Sequence, residues 1–132
     1  MSQVTVLLAR GIGIFTVVLV TAIMVRGVSV IAATVADGPV MLAYAIISLA
    51  IGVAMIVGHN VWSGGLLPVV VTLVGWLIFL KGLVLLMLPP DVLSRTLGQM
   101  QYGEHFNLYL APSLAIGLYL TWAGFKTPMR GR

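Results

Sequence analysis

Few residues in this chain can carry chemistry. They are His59 and His105, the carboxylates Asp37, Asp91 and Glu104, and Lys81, which sits inside an apolar run. An imidazole can move a proton, or bind a haem or porphyrin-type pigment as an axial ligand. The two histidines fall at opposite ends of apolar runs. About 30 Å of hydrocarbon then separates them, so a monomer cannot bring both to one metal. Hydrogen bonding to a helix end at the wet interface is the plainer role for each. The three carboxylates show no local acid–base spacing. There is no Ser-His-Asp order, glycine-rich phosphate loop or cluster of metal ligands. With no cysteine, disulfides, thiolate metal sites and thiol catalysis are excluded within this sequence. The expectation is a protein that is not an enzyme and whose sequence requires no cofactor.

Lys81 is the most informative charge. It lies about 10 Å along a helix from the end of its run near Leu88, and an unpaired ammonium deep in hydrocarbon costs several kcal/mol, roughly. Three arrangements relieve that cost. The side chain snorkels to the nearer interface; or it pairs with Asp37, Asp91 or Glu104, all expected on that side; or the helix ends near Lys81-Gly82. A transport or ligand role is the functional alternative.

The elements that must position these residues are membrane spans. Of the 132 residues, 61% are hydrophobic and 8% charged, against about 25% charged in soluble domains. The formal charge of +4 is spread thinly over Arg10, Arg26, Lys81, Arg95, Lys126, Arg130 and Arg132. Nucleic-acid binding needs a clustered basic face and is not expected; basic residues at helix ends meet lipid phosphates instead. The expected fold is all-α and integral to the membrane, an antiparallel bundle of four spans over residues 8–25, 39–58, 66–88 and 106–125, in one membrane domain. Gly11 to Val25, preceded by Arg10, reads as a first membrane helix that also directs insertion. The run can be extended back to Val4 across Arg10, whose side chain then snorkels to the headgroups. Val28–Ala36 is either a short interfacial helix or a continuation of that span. Asp37-Gly38-Pro39 makes the next turn and helix start. Val92, Leu93, Leu97 and Met100 are spaced to form the apolar face of a short surface helix.

The link His59–Gly65 is short enough to force the second and third spans into a hairpin. Ala50, Ala54 and Gly58 recur at spacing four, with Ser48 and Gly52 offset by two. Such rows admit a neighbouring helix, although small residues are also common in membrane helices. Trp62, Tyr102, Tyr109 and Trp122 suit interfacial anchoring, while Trp76 and Tyr44 are expected to fill helix contacts. The basic tail favours a cytoplasmic location for both termini.

One stretch carries more than composition. His59-Asn60-Val61-Trp62, then Pro68, Thr72, Gly75-Trp76, Lys81-Gly82 and Pro89, resembles a signature of small bacterial four-helix inner-membrane proteins of uncharacterised function. The resemblance runs from about Gly52 to Pro89 and touches Ala9-Arg10; Asp91 onward carries no such motif. It implies four spans and a bacterial inner membrane, and supplies no reaction. In physical terms the signature is a hairpin brace: His59, Asn60 and Trp62 satisfy backbone groups at the turn, Gly75 admits a neighbour, and Lys81 fixes depth.

Three functions compete. The favoured one is an accessory or structural subunit of a larger membrane complex, respiratory or photosynthetic, partnered by lipids and by other membrane subunits or further copies of itself. The second is an oligomeric transporter or channel using Lys81, Asn60 and Thr72. The third is a pigment- or quinone-associated protein using His59 or His105.

Overall fold

The computed structural model describes residues 2–129; Arg130 and Arg132 of the basic tail lie outside them. Six helices follow in order, α1 (Gln3–Arg26), α2 (Ser29–Ala36), α3 (Gly38–Gly58), α4 (Leu66–Met87), α5 (Pro90–Gln99) and α6 (Phe106–Lys126). α1, α3, α4 and α6 are long and apolar enough to cross a membrane. The first span begins at Gln3, ahead of residue 8 and next to the Val4 limit of the extended run, so Arg10 lies inside the helix. The other three lie where expected to within a residue.

Local chemistry explains the boundaries. Ser2 caps α1 by accepting from Thr5 N–H at 3.2 Å, which satisfies one of the free donors of a helix start. Gly27, at φ 82°, ends it; a side chain there would be strained. This break makes Ser29–Ala36 a separate helix and not an extension of α1. Asp37 caps α3 by accepting from Val40 N–H at 3.0 Å. Gly64 and Gly65 turn the chain at φ 87° and 121° before Pro68 enters the first turn of α4. Pro90 opens α5, with Asp91 in its first turn, where a carboxylate favours the positive helix end. The helix does not end near Lys81-Gly82; it runs on to Met87.

The spans pack as two antiparallel pairs, α3 with α4 and α1 with α6; α4 also touches α1 and α6, while α2 lies against α3 and α5. The start of α1, the end of α6 and the 59–65 link share one end of the bundle, and α2 and α5 share the other. Glycines set the close approaches. A Cβ on Gly52 would lie 2.5 Å from the backbone of Phe79, one on Gly82 2.5 Å from Leu49 N, and one on Gly13 2.6 Å from Thr121 N. No backbone can yield that much, so these positions hold the helices at contact distance. The joint core gathers toward the terminal end: Ala9 from α1, Met55 from α3, Leu67 and Val71 from α4, Leu120 and Ala123 from α6.

Between 22% and 28% of each span's most apolar window is buried inside the chain. Most of the apolar surface therefore faces outward, which requires lipid or another protein as its surroundings. This is a multi-pass membrane protein.

Candidate functional site

At the terminal end, two threonines converge on His59. It caps the C-terminus of α3, its N–H reaching Met55 O at 2.7 Å, and its side chain is buried at 4% exposure. Nε2 lies 2.9 Å from Thr5 Oγ1 on α1, and Nδ1 lies 3.2 Å from Thr72 Oγ1 on α4. One imidazole thus ties three helices, and it bonds both members of the hairpin to α1 of the other pair.

The proton positions follow from the partners. The Thr72 hydroxyl donates to Val61 C=O and accepts from Val61 N–H, each at 3.0 Å. Its hydrogen is then committed, so its remaining lone pair accepts from Nδ1–H. Nε2 is left as the acceptor for the Thr5 hydroxyl, which in turn accepts from Ser2 Oγ at 2.8 Å. In this tautomer every polar atom of a neutral imidazole is satisfied, as burial requires. The site is therefore built as a clasp. Its two ring nitrogens are engaged by threonines, which leaves no lone pair directed at an axial metal or pigment.

The hairpin brace differs from expectation in one respect. Val61, at the turn, has both its backbone groups satisfied by Thr72, not by Asn60 or Trp62. Asn60 instead accepts from the Trp62 indole N–H at 2.7 Å, and both residues are exposed. Gly75 does admit a neighbour: a Cβ there would lie 3.0 Å from Met55 Cβ. The Ala50, Ala54 and Gly58 row is not a contact among the described residues. All three are exposed, and Gly58 has nothing within 4 Å of a would-be Cβ. The face against α4 is the offset one, Met41, Ala45, Ser48, Gly52 and Met55. A helix turning about 100° per residue places these two rows on different sides of α3.

Arg10 reinforces the α1–α6 pair. Its Nε donates to Gly124 O at 2.9 Å and a terminal nitrogen to Thr127 O at 3.1 Å, with the guanidinium 4.8 Å from the Phe125 ring centroid. A positive charge on the last carbonyls of α6 complements the negative helix end. Arg10 is thus bound to α6 and does not simply snorkel outward.

At the far end, Lys81 Nζ donates to the Tyr44 hydroxyl at 2.7 Å and lies 4.8 Å from that ring's centroid. The partner is a phenol, not Asp37, Asp91 or Glu104. Tyr102 stacks on Tyr109, ring centroids 5.2 Å apart, and Tyr109 donates to Met100 O at 2.9 Å. Burial first, and then the nearby Tyr44, push the Tyr102 phenol above its ordinary range. His105 is exposed and lines an open cavity of about 400 Å³ with Glu104, Asn107, Met24 and Gly27. Among the described residues no group of three His, Asp or Glu side chains converges as a metal site.

Lys81, Asn60 and Thr72 do not line a common path: Thr72 is in the clasp, Asn60 is at the turn, and Lys81 is at the opposite end on Tyr44. Thr5 is the site residue that sequence patterning left unmarked; Tyr44, expected to fill a helix contact, is instead exposed and holds Lys81. Thr5 had a weak signal as a hydroxyl near the start of an apolar run, and Tyr44 as a phenol five positions after the expected helix start at Pro39. Comparison with family models, curated proteins and solved structures found no match in any of the three.

Proposed function

We propose that this chain is an accessory or structural subunit of a larger membrane complex, docked through the outward face of α3. The carrying observation is the division of small residues on that helix. Ala45, Ser48 and Gly52 are used against α4, whereas Ala50, Ala54 and Gly58 form a second row that the described residues leave uncovered. Lipid tails fill such a shallow row poorly, and another helix fills it well. The clasp and the Arg10 contacts fit this role, because they rigidify the bundle and leave that face free.

The setting belongs to the same proposal: a bacterial inner membrane, as the resemblance of the 52–89 stretch implies, with both termini cytoplasmic beside Arg10 and Lys126. Extraction in a mild detergent tests the role. Co-purification of another membrane protein, lost on Ala54→Phe while the chain stays folded, is the expected result. A wild-type chain that elutes as a bare monomer contradicts it.

A further inference from the structure

Lys81 is a cation in an unusual place. It lies six positions before the end of α4, and Tyr44 six positions after the start of α3, so both stand about 9 Å inside their helix ends. The close approach of Gly82 to Leu49 brings the two helices into register there. The pair faces outward: Tyr44 is 41% exposed, and the neighbouring Ile47, Ile51, Leu77, Leu80 and Val84 are exposed apolar side chains. Lys81 has no carboxylate partner among the described residues; its contacts are the hydroxyl and ring of Tyr44. An ammonium has three donors, and one is used. A phenol that accepts from it still has its own hydrogen to give.

We propose that Lys81 and Tyr44 hold the phosphate of an anionic phospholipid headgroup on the outer face of the α3–α4 hairpin. A phosphate oxygen accepts a charge-assisted bond from Nζ, and another accepts from the Tyr44 hydroxyl. The charge of the ammonium is thereby neutralised at the depth where it would otherwise be costly. The apolar surround selects the source of the phosphate. A free anion would have to leave water to reach this level, whereas a lipid brings the same group with acyl chains that cover Leu77, Leu80 and Ile47. A net-anionic headgroup is preferred over a zwitterionic one because the latter carries its own competing cation.

The full chain, purified in detergent, is titrated with dioleoyl-phosphatidylglycerol and followed by native mass spectrometry. Dioleoyl-phosphatidylcholine, dioleoylglycerol and sodium phosphate form the other arms. Phosphatidylglycerol is expected to bind more tightly than phosphatidylcholine. Lys81→Gln weakens it about tenfold, as loss of a charge-assisted bond does; Lys81→Arg retains it, and Tyr44→Phe weakens it severalfold. Dioleoylglycerol binding is indifferent to all three substitutions, and sodium phosphate does not displace the lipid. Far-UV circular dichroism confirms the fold of each variant, and Tyr44→Phe and Lys81→Arg keep the test decisive if Lys81→Gln misfolds. Unchanged phosphatidylglycerol binding in Lys81→Gln overturns the proposal. So does displacement by sodium phosphate, which makes the ligand a free anion. Loss of a co-purifying protein from Lys81→Gln with lipid binding intact also overturns it, because the counter-charge is then a partner's carboxylate.

Discussion

His59 Nε2 stands 2.9 Å from Thr5 Oγ1 across 54 positions of sequence, and that contact joins the two helix pairs of the bundle. The other contacts between the α3–α4 pair and the α1–α6 pair are those of α4 with α1 and α6 and of the shared apolar core. The imidazole acts as a rivet because both nitrogens are used in opposite directions, Nδ1 toward α4 and Nε2 toward α1. Its position at the end of α3 places this rivet beside the joint core of Ala9, Met55, Val71 and Leu120.

Loss of the rivet should loosen the pairs from one another. His59→Leu is expected to lower stability by about 1–3 kcal/mol, the cost of two buried hydrogen bonds. Thr72→Val, nearly the same shape, should lose about 1–2 kcal/mol because Val61 N–H and C=O lose their partner as well. The double mutant should fall short of the sum by about 0.5–1 kcal/mol if the two act together. Unfolding of purified protein in mixed micelles with increasing SDS measures all three; strict additivity speaks against the bond between them.

Glycines on the same helix should behave oppositely. Gly52→Val meets the backbone of Phe79 and must separate α3 from α4, at a cost of about 2–3 kcal/mol or more. Gly58→Ala meets nothing among the described residues, so the isolated protein should be unchanged or steadier by up to about 1 kcal/mol from helix propensity. SDS unfolding midpoints of the two variants check the contrast.

Arg10 should protect the end of α6. Arg10→Met removes the donors to Gly124 O and Thr127 O and should cost about 1–2 kcal/mol. Hydrogen exchange of the 123–127 amides in micelles should quicken, while exchange in α3 stays as before. Arg10→Lys recovers only part of the protection, since a single ammonium cannot span both carbonyls as a guanidinium does.

Tyr102 gives the fold an alkaline limit. Burial, then Tyr44, raise its phenol above the ordinary 10.0, so above that value the folded chain binds the proton that the unfolded chain releases. The associated stability is fully present below the ordinary value and is lost as pH rises from there through the folded value. Thermal unfolding followed between pH 9 and 11 should show this decline in the wild type and a flatter profile in Tyr102→Phe.

Much of the architecture was legible in the sequence because lipid imposes strong patterns. Uninterrupted apolar runs bounded by Asp37-Gly38-Pro39, Gly64-Gly65 and Pro89-Pro90 mark α3 and α4 almost to the residue, and the brevity of the 59–65 link fixes their pairing. The apolar spacing of Val92, Leu93 and Leu97 likewise marked α5. The partners of the polar residues were hidden. Thr5 meets His59 only because α1 packs beside the hairpin, a relation between distant segments that no local spacing records. Small residues recur on α3 in two rows, and spacing four alone cannot say which row faces α4. For Lys81, charge suggested a carboxylate, while register between α3 and α4 delivered a phenol.

The outward row of α3 is the point on which the subunit proposal stands, and site-specific photo-cross-linking in native membranes interrogates it directly. A benzophenone amino acid at Ala54 should give a discrete adduct with another membrane protein, and the same probe at Ile46, on the same exposed helix one turn from Ala50, a weaker one. Probe at Ala54 that labels lipid alone, with no protein adduct at either position, contradicts the account.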